Sequence, residues 1–222
     1  MTVASSYVKV IGIAGGIGAA VIIGIIVYGE MSKPPGGEIL ERPTVQWTVG
    51  NMLKPNTVLK YRLSHISNNY QEIFVILNFV EKSDDNWRVQ LEIEDVSGKV
   101  TQDLVLSRSL IPVGSIPEKF VPQMQIIQGS ILWIVDYAVT PKYLALGAVW
   151  GKITHGIQTQ ELKVSAIEKI STSAGTFDSY VLRYDIMDKQ SKIWIVEDLP
   201  LPAKAEVYNA DGDLQFTFEL VS

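Results

Sequence analysis

The stretch NWRVQLEIE, residues 86–94, decides the fold class. Trp87, Val89, Leu91 and Ile93 fall on one side of an extended chain, and Arg88, Gln90, Glu92 and Glu94 on the other. A period of two with one apolar and one charged side marks a strand in a sheet with one dry and one wet face. The same alternation returns in Leu59, Tyr61 and Leu63, in Tyr180, Leu182, Tyr184 and Ile186, and in Leu214, Phe216, Phe218 and Leu220. IFVILNFV, 73–80, is apolar at nearly every position and reads as a central strand covered on both sides. Turn signals separate these runs: SDDN at 83–86, SG at 97–98, and NADGD at 209–213, where Asp211-Gly212 is a hairpin cue. Strands joined by such short turns are antiparallel neighbours. The expected fold is therefore mainly β, a twisted antiparallel sheet or half-barrel with one or two short covering helices.

The helices come from a region that breaks the pattern. Between Ile111 and Gly151, Met124, Ile127, Ile131, Ile134, Val135 and Ala138 recur at helical spacing, which predicts a helical insertion near 118–139 interrupted at Gly129. SILWIVDYAV, 130–139, is apolar nearly all round and should be buried against the dry face of the sheet. A faint echo links VGNMLKPNTVLKY, 49–61, with LALGAVWGKI, 144–153, each ahead of a strand carrying Glu-Lys, and suggests a duplicated half-sheet.

Ahead of the β domain, expected over 44–222, lies a different kind of sequence. Residues 10–29 carry no charge and are bounded by Lys9 and Glu30. A helix of that length spans about 30 Å, the hydrocarbon thickness of a bilayer. Residues 1–31 are expected as a retained single-pass anchor; the alternative, a cleaved signal peptide, has a shorter apolar run and an A-x-A-like exit, where this chain reads VYGEMSK. Gly12, Gly16, Ala20 and Gly24 recur every four residues and form one smooth stripe, which fits docking of another transmembrane helix in a homo-oligomer or a larger complex. SKPPGGEILERP, 32–43, reads as a Pro/Gly tether. With a short N-terminal tail and a folded domain behind the anchor, the expected arrangement is N-terminus cytoplasmic and domain extracytoplasmic.

The 222 residues carry a formal charge of -5 with Lys and Arg scattered singly, so no nucleic-acid footprint is present. With no cysteine there is no disulfide, thiolate nucleophile or Cys-ligated metal. His65 and His155, the only histidines, have no carboxylate at ligand spacing. Asn209, Asp211 and Asp213 place oxygens at alternate positions, but the loop is too short for an EF-hand and reads as a turn. Gly175 to Asp178 reads as a loop entering a strand, without a nucleophile elbow. No phosphate-cradling glycine loop follows a strand. No catalytic residue, metal site or cofactor is expected.

STSAGTFDSYVLRYDI, 171–186, and SKIWIVEDLPLPAKAEVYNADGDLQFTFELVS, 191–222, carry a resemblance. AGTFD before one strand, a strand centred on Trp194, the LPLPAK approach from Leu199 to Lys204 and a closing hairpin ending in FEL resemble singly membrane-anchored archaeal proteins common in ammonia-oxidising archaea. That group is similar in turn to the LolA/LppX lipoprotein-carrier type, a twisted antiparallel sheet curled around helices. Pro200 and Pro202 cannot donate to a ladder and belong in a connection; Lys204 and Glu206 should face water while Ala203, Ala205 and Val207 face inward. The resemblance implies that the apolar helix plugs or lines the hollow of the sheet. Met124, Ile127, Ile131, Trp133, Ile134 and Tyr137 are then the candidate contacts for a hydrophobic ligand or a partner.

Two functions follow as expectations. The first is a non-catalytic, membrane-anchored extracytoplasmic subunit or scaffold, docking through its helix and its β domain. The alternative is a tethered module binding a lipid or other hydrophobic ligand.

Overall fold

The computed structural model describes residues 45–155 and 158–222; the anchor, the tether and the Gly12, Gly16, Ala20 and Gly24 stripe lie outside the described residues. In chain order the elements are β1 (Gln46–Trp47), β2 (Thr57–His65), β3 (Ile73–Ser83), β4 (Asn86–Asp95), β5 (Gly98–Ser107), α1 (Val121–Gln128), α2 (Val135–Ala138), β6 (Lys142–Tyr143), β7 (Val149–His155), β8 (Gln158–Thr172), β9 (Gly175–Ile186), β10 (Lys189–Ile195), β11 (Lys204–Tyr208) and β12 (Leu214–Leu220). Strands β2 to β5 and β7 to β12 form one ten-stranded sheet, in the order β5-β4-β3-β2-β12-β11-β10-β9-β8-β7, and β1 and β6 form a separate pair. All neighbours are antiparallel, so the expected mainly β class holds.

Strand β4 shows why. Trp87, Val89, Leu91 and Ile93 are buried and Arg88, Gln90 and Glu94 exposed, as the period of two requires. Strand β3 differs from expectation: Ile73, Val75, Leu77 and Phe79 are buried, but Phe74, Ile76, Asn78 and Val80 are only half-covered, so this interior strand has one dry face. Its outer side is shielded by a neighbour's long side chain, with Lys60 Nζ 4.7 Å above the Phe74 ring. A second difference lies at 175–178. Gly175 to Asp178 is the start of β9, paired with the end of β8 through Thr172↔Gly175, and the connection shrinks to Ser173-Ala174. Gly175 adopts φ 145°, a conformation that keeps this corner tight only without a Cβ.

The 209–213 segment is a hairpin turn between β11 and β12. Asn209 Oδ1 accepts from the N–H groups of Asp211 and Asp213, and Gly212 takes φ 82°. This side-chain oxygen organises the turn.

Between β5 and β6 the chain crosses the inner face of the sheet. Pro122 sits in the first turn of α1, where its missing N–H costs no helical bond. The helix stops at Gly129, whose N–H bonds the Gln125 carbonyl at 2.8 Å, and successive turns lead into α2. Thus the insertion is helical from 118, where a 3-10 turn at Glu118–Phe120 leads into α1, and again at 135–138, with turns between. Buried side chains from α1, these turns and α2 share one core with Tyr61, Leu63, Val75, Leu91, Leu182 and Phe218.

The two short strands lock the ends of the domain. Trp47 and Trp150 stack with centroids 5.6 Å apart. Trp47 Nε1 donates to the Leu199 carbonyl at 2.8 Å, and the Gly50 N–H to the Pro200 carbonyl at 2.8 Å. Pro200 and Pro202 have no N–H to donate, but the Leu199 and Pro200 carbonyls accept from the N-terminal segment.

Candidate functional site

The six contacts expected on the helical insertion separate into two sets. Met124, Ile127, Ile131 and Ile134 are buried in the core beneath α1 and the following turns. Trp133 and Tyr137 are only partly covered, and their rings lie 4.8 Å apart at a 44° tilt. Trp133 also stacks on Tyr184 of β9 at 6.0 Å. Tyr137 fits against β7 because Gly151 lacks a side chain: a Cβ there would stand 2.7 Å from the Tyr137 ring. The result is an aromatic group where the helical layer meets the β7 to β9 end of the sheet.

These phenols are not acid–base groups near neutrality. Burial pushes Tyr184 up to about 12, opposed by a hydrogen bond with Ser191. Burial, with the Asp136 charge, also raises Tyr137. The group offers aromatic surface and hydroxyls that stay protonated.

Deeper in the core, Tyr61 on β2 is fully buried and packs edge-on against Phe218 at 5.6 Å. Its hydroxyl and the Gln123 Oε1 on α1 have no hydrogen-bond partner among the described residues. His65, near the other end of β2, stacks on Phe216 at 6.1 Å, and its Nδ1 accepts from the Ser67 N–H at 3.0 Å. That bond fixes the neutral ring with its proton on Nε2. Burial holds the imidazole below its ordinary value. His155 ends β7, and its side chain lies outside what the structure describes.

The outer face of the sheet carries a second apolar cluster that the sequence pattern did not announce. Trp194, Val181, Ile170, Val196 and Ala203 are buried together there. Ala203, expected to face inward with Ala205, joins this outer cluster because it precedes β11 and belongs to the connection. Trp194 Nε1 donates to Glu168 Oε1, and Lys204 Nζ lies 5.3 Å over the indole. Nearer the middle of the sheet, Arg62 Nη2 pairs with Glu219 Oε1, and its Nε lies 3.7 Å from Glu72 Oε2.

A cleft of about 450 Å³ opens where the loop after β1 meets the β3–β4 turn and the end of β5. Lys82 and Arg108 line it, no carboxylate does, and Trp87 forms part of its wall. Neither cation is in an ion pair among the described residues, so the cleft favours a group of negative charge. Among the described residues no three metal-ligating side chains come together, and no helix is long and apolar enough to cross a membrane.

No family model matches the chain, and no curated protein matches it. Two solved structures are similar. One, from Bacteroides fragilis and named as an exported protein with a YmcC-like fold, shares 10% identity, covers 80% of this chain and 98% of its own, and has a TM-score of 0.36. The other, the hypothetical lipoprotein YmcC from Escherichia coli, shares 10% identity, covers 93% of each chain and has a TM-score of 0.33.

Proposed function

We propose that this chain is a non-catalytic, membrane-anchored extracytoplasmic subunit or scaffold that docks in a larger membrane or cell-surface assembly. The apolar run at 10–29 inserts in the bilayer, its Gly12, Gly16, Ala20 and Gly24 stripe packs on a partner transmembrane helix, and the β domain supplies the outer contacts. The observation that carries this reading is the occupied inner face of the sheet. Met124, Ile127, Ile131 and Ile134 are buried with the inner face of the sheet in one core, which favours contact surface as the domain's offering.

Replacing Gly16 and Gly24 with Leu in the intact chain tests the seam. Recovery from native membranes in mild detergent should then lose the co-purifying partners, whereas the same assembly recovered unchanged overturns helix docking.

A second reading, a tethered hydrophobic-ligand module, is favoured by one feature. The unpartnered Tyr61 hydroxyl and Gln123 Oε1 are the polar groups a bound molecule would satisfy if the helical layer lifted.

A further inference from the structure

The edge of the sheet at β5, open over part of its length among the described residues, carries a two-fold pattern of its own. On one side β5 pairs with β4 without a bulge from Gly98 to Ser107. On the other, the chain returns over only the last part of the strand. The Val113 N–H donates to the Val105 carbonyl and the Ser107 N–H to the Ile111 carbonyl, both at 2.8 Å. Those bonds identify the residues whose backbone groups point away from β4 as the odd-numbered ones, because outward groups alternate along an antiparallel strand. Lys99, Thr101 and Asp103 therefore also aim their N–H and C=O outward. Among the described residues the edge is open from Gly98 to Leu104, a window whose centre is Thr101. Its one internal contact is Gln102 Nε2 donating to the Asp103 carbonyl at 2.9 Å.

The charges obey the same centre. An antiparallel copy related by a two-fold axis at Thr101 sets Lys99 opposite the partner's Asp103, and Asp103 opposite the partner's Lys99. An axis at Lys99 or Asp103 would set like charges together, and one at Gln102 would place Lys99 against Val105, whose carbonyl is already taken. Asp103 forms no ion pair among the described residues, while Lys99 Nζ holds Glu92 Oε1 at 2.5 Å on the same face. In the pair each lysine lies between two carboxylates. Val100, 45% exposed, gains cover from the partner's Gln102.

We infer that β5 is a homodimerisation edge, joining two copies of this chain antiparallel about Thr101 so that their sheets continue into one another. Six backbone hydrogen bonds form, two across the axis and two at each Lys99–Asp103 pair, and the Gln102 bond to the Asp103 carbonyl is replaced. Each subunit makes the same contact, so the interface closes at two copies. A contact of one short strand buries less than a standard interface, so association is weak and is best read by cross-linking.

The chain has no cysteine, which makes the test clean. Full-length protein in detergent carrying Thr101→Cys should oxidise to a covalent dimer, because residues paired across the axis stand about 5.5 Å apart at Cα. Lys99→Cys should cross-link severalfold less, since the two thiols sit four residue steps apart, about 13 Å. In the Thr101→Cys background, Asp103→Lys should suppress the dimer and adding Lys99→Asp should restore it. Equal cross-linking at 101 and 99, none at 101, or no recovery in the charge swap overturns the edge pairing. The Thr101→Cys dimer should persist when Gly16 and Gly24 are Leu, which separates this edge from the helix seam.

Discussion

At the scale of single residues, two buried polar side chains make opposite demands on the core. Tyr61 places a phenol where nothing described accepts its proton, and an unsatisfied buried hydroxyl costs about 1–3 kcal/mol. Tyr61→Phe keeps the ring and its edge contact with Phe218. Its expected effect is a gain of about 1 kcal/mol, or roughly 2–4 °C in thermal midpoint for a domain of this size. A loss would mean that the hydroxyl has a partner in solution and would favour the hydrophobic-ligand reading. His65 is satisfied only when neutral. Burial depresses its pKa below 6.5, so as pH falls through that value the unfolded chain takes up a proton before the folded one does. The stability His65 contributes is complete above about 6.5 and is lost as pH falls from there toward the folded-state value. The thermal midpoint should therefore drop as pH is lowered below about 6.5, and the drop should shrink in His65→Asn, whose Oδ1 can still accept from the Ser67 N–H.

At the scale of elements, the helical insertion, already packed into the shared core, meets the sheet most tightly where the Tyr137 ring lies over Gly151. Adding a methyl at Gly151 would place a carbon 2.7 Å from Cδ1 and 3.1 Å from Cε1 of Tyr137. Gly151→Ala should cost about 1–3 kcal/mol as overpacking, measured by urea denaturation, and much of that cost should vanish in a Tyr137→Ala background. Not all of these elements could be read from the sequence. One-faced strands such as β4 were legible because burial and sequence share a period of two. The second face of β3 was misread because Phe74 and Ile76 look like core, yet a lysine stem from β2 covers what a packed layer would otherwise cover. The start of β9 was misread because Gly-Thr composition suggests a loop, whereas Thr176 faces Ser171 across a hairpin, their hydroxyls 3.2 Å apart. The candidate contacts were legible as a buried helical layer and no further. What separates Ile127 and Ile131 from Trp133 and Tyr137 is which side of each turn meets the sheet, and hydrophobic spacing alone does not carry that.

At the scale of the whole domain, the sheet is two four-stranded meanders laid in the same direction, β5-β4-β3-β2 and β10-β9-β8-β7, bridged by β12 and β11. The echo between 49–61 and 144–153 falls at the entry to each meander. Just ahead of those entries, β1 and β6 pair with each other and their neighbourhood stacks Trp47 on Trp150. No local rule predicts a two-residue strand; β1 exists because the Trp47 indole bonds a carbonyl 152 residues away and because the Val49 N–H reaches the Ala138 carbonyl at 3.0 Å. The N-terminal segment of the domain is thus a clasp across both halves. A chain beginning at Lys54 lacks that clasp, although β2 to β12 are intact. Relative to a chain beginning at Pro43, it should lose at least the 3–5 kcal/mol typical of deleting a buried Trp, about 6 °C or more in thermal midpoint. Trp47→Ala in the longer chain should reproduce most of that loss. If truncation destabilises and Trp47→Ala does not, the clasp resides in the Val49 and Gly50 backbone bonds; if neither does, the two meanders hold together through β12 and β2 alone.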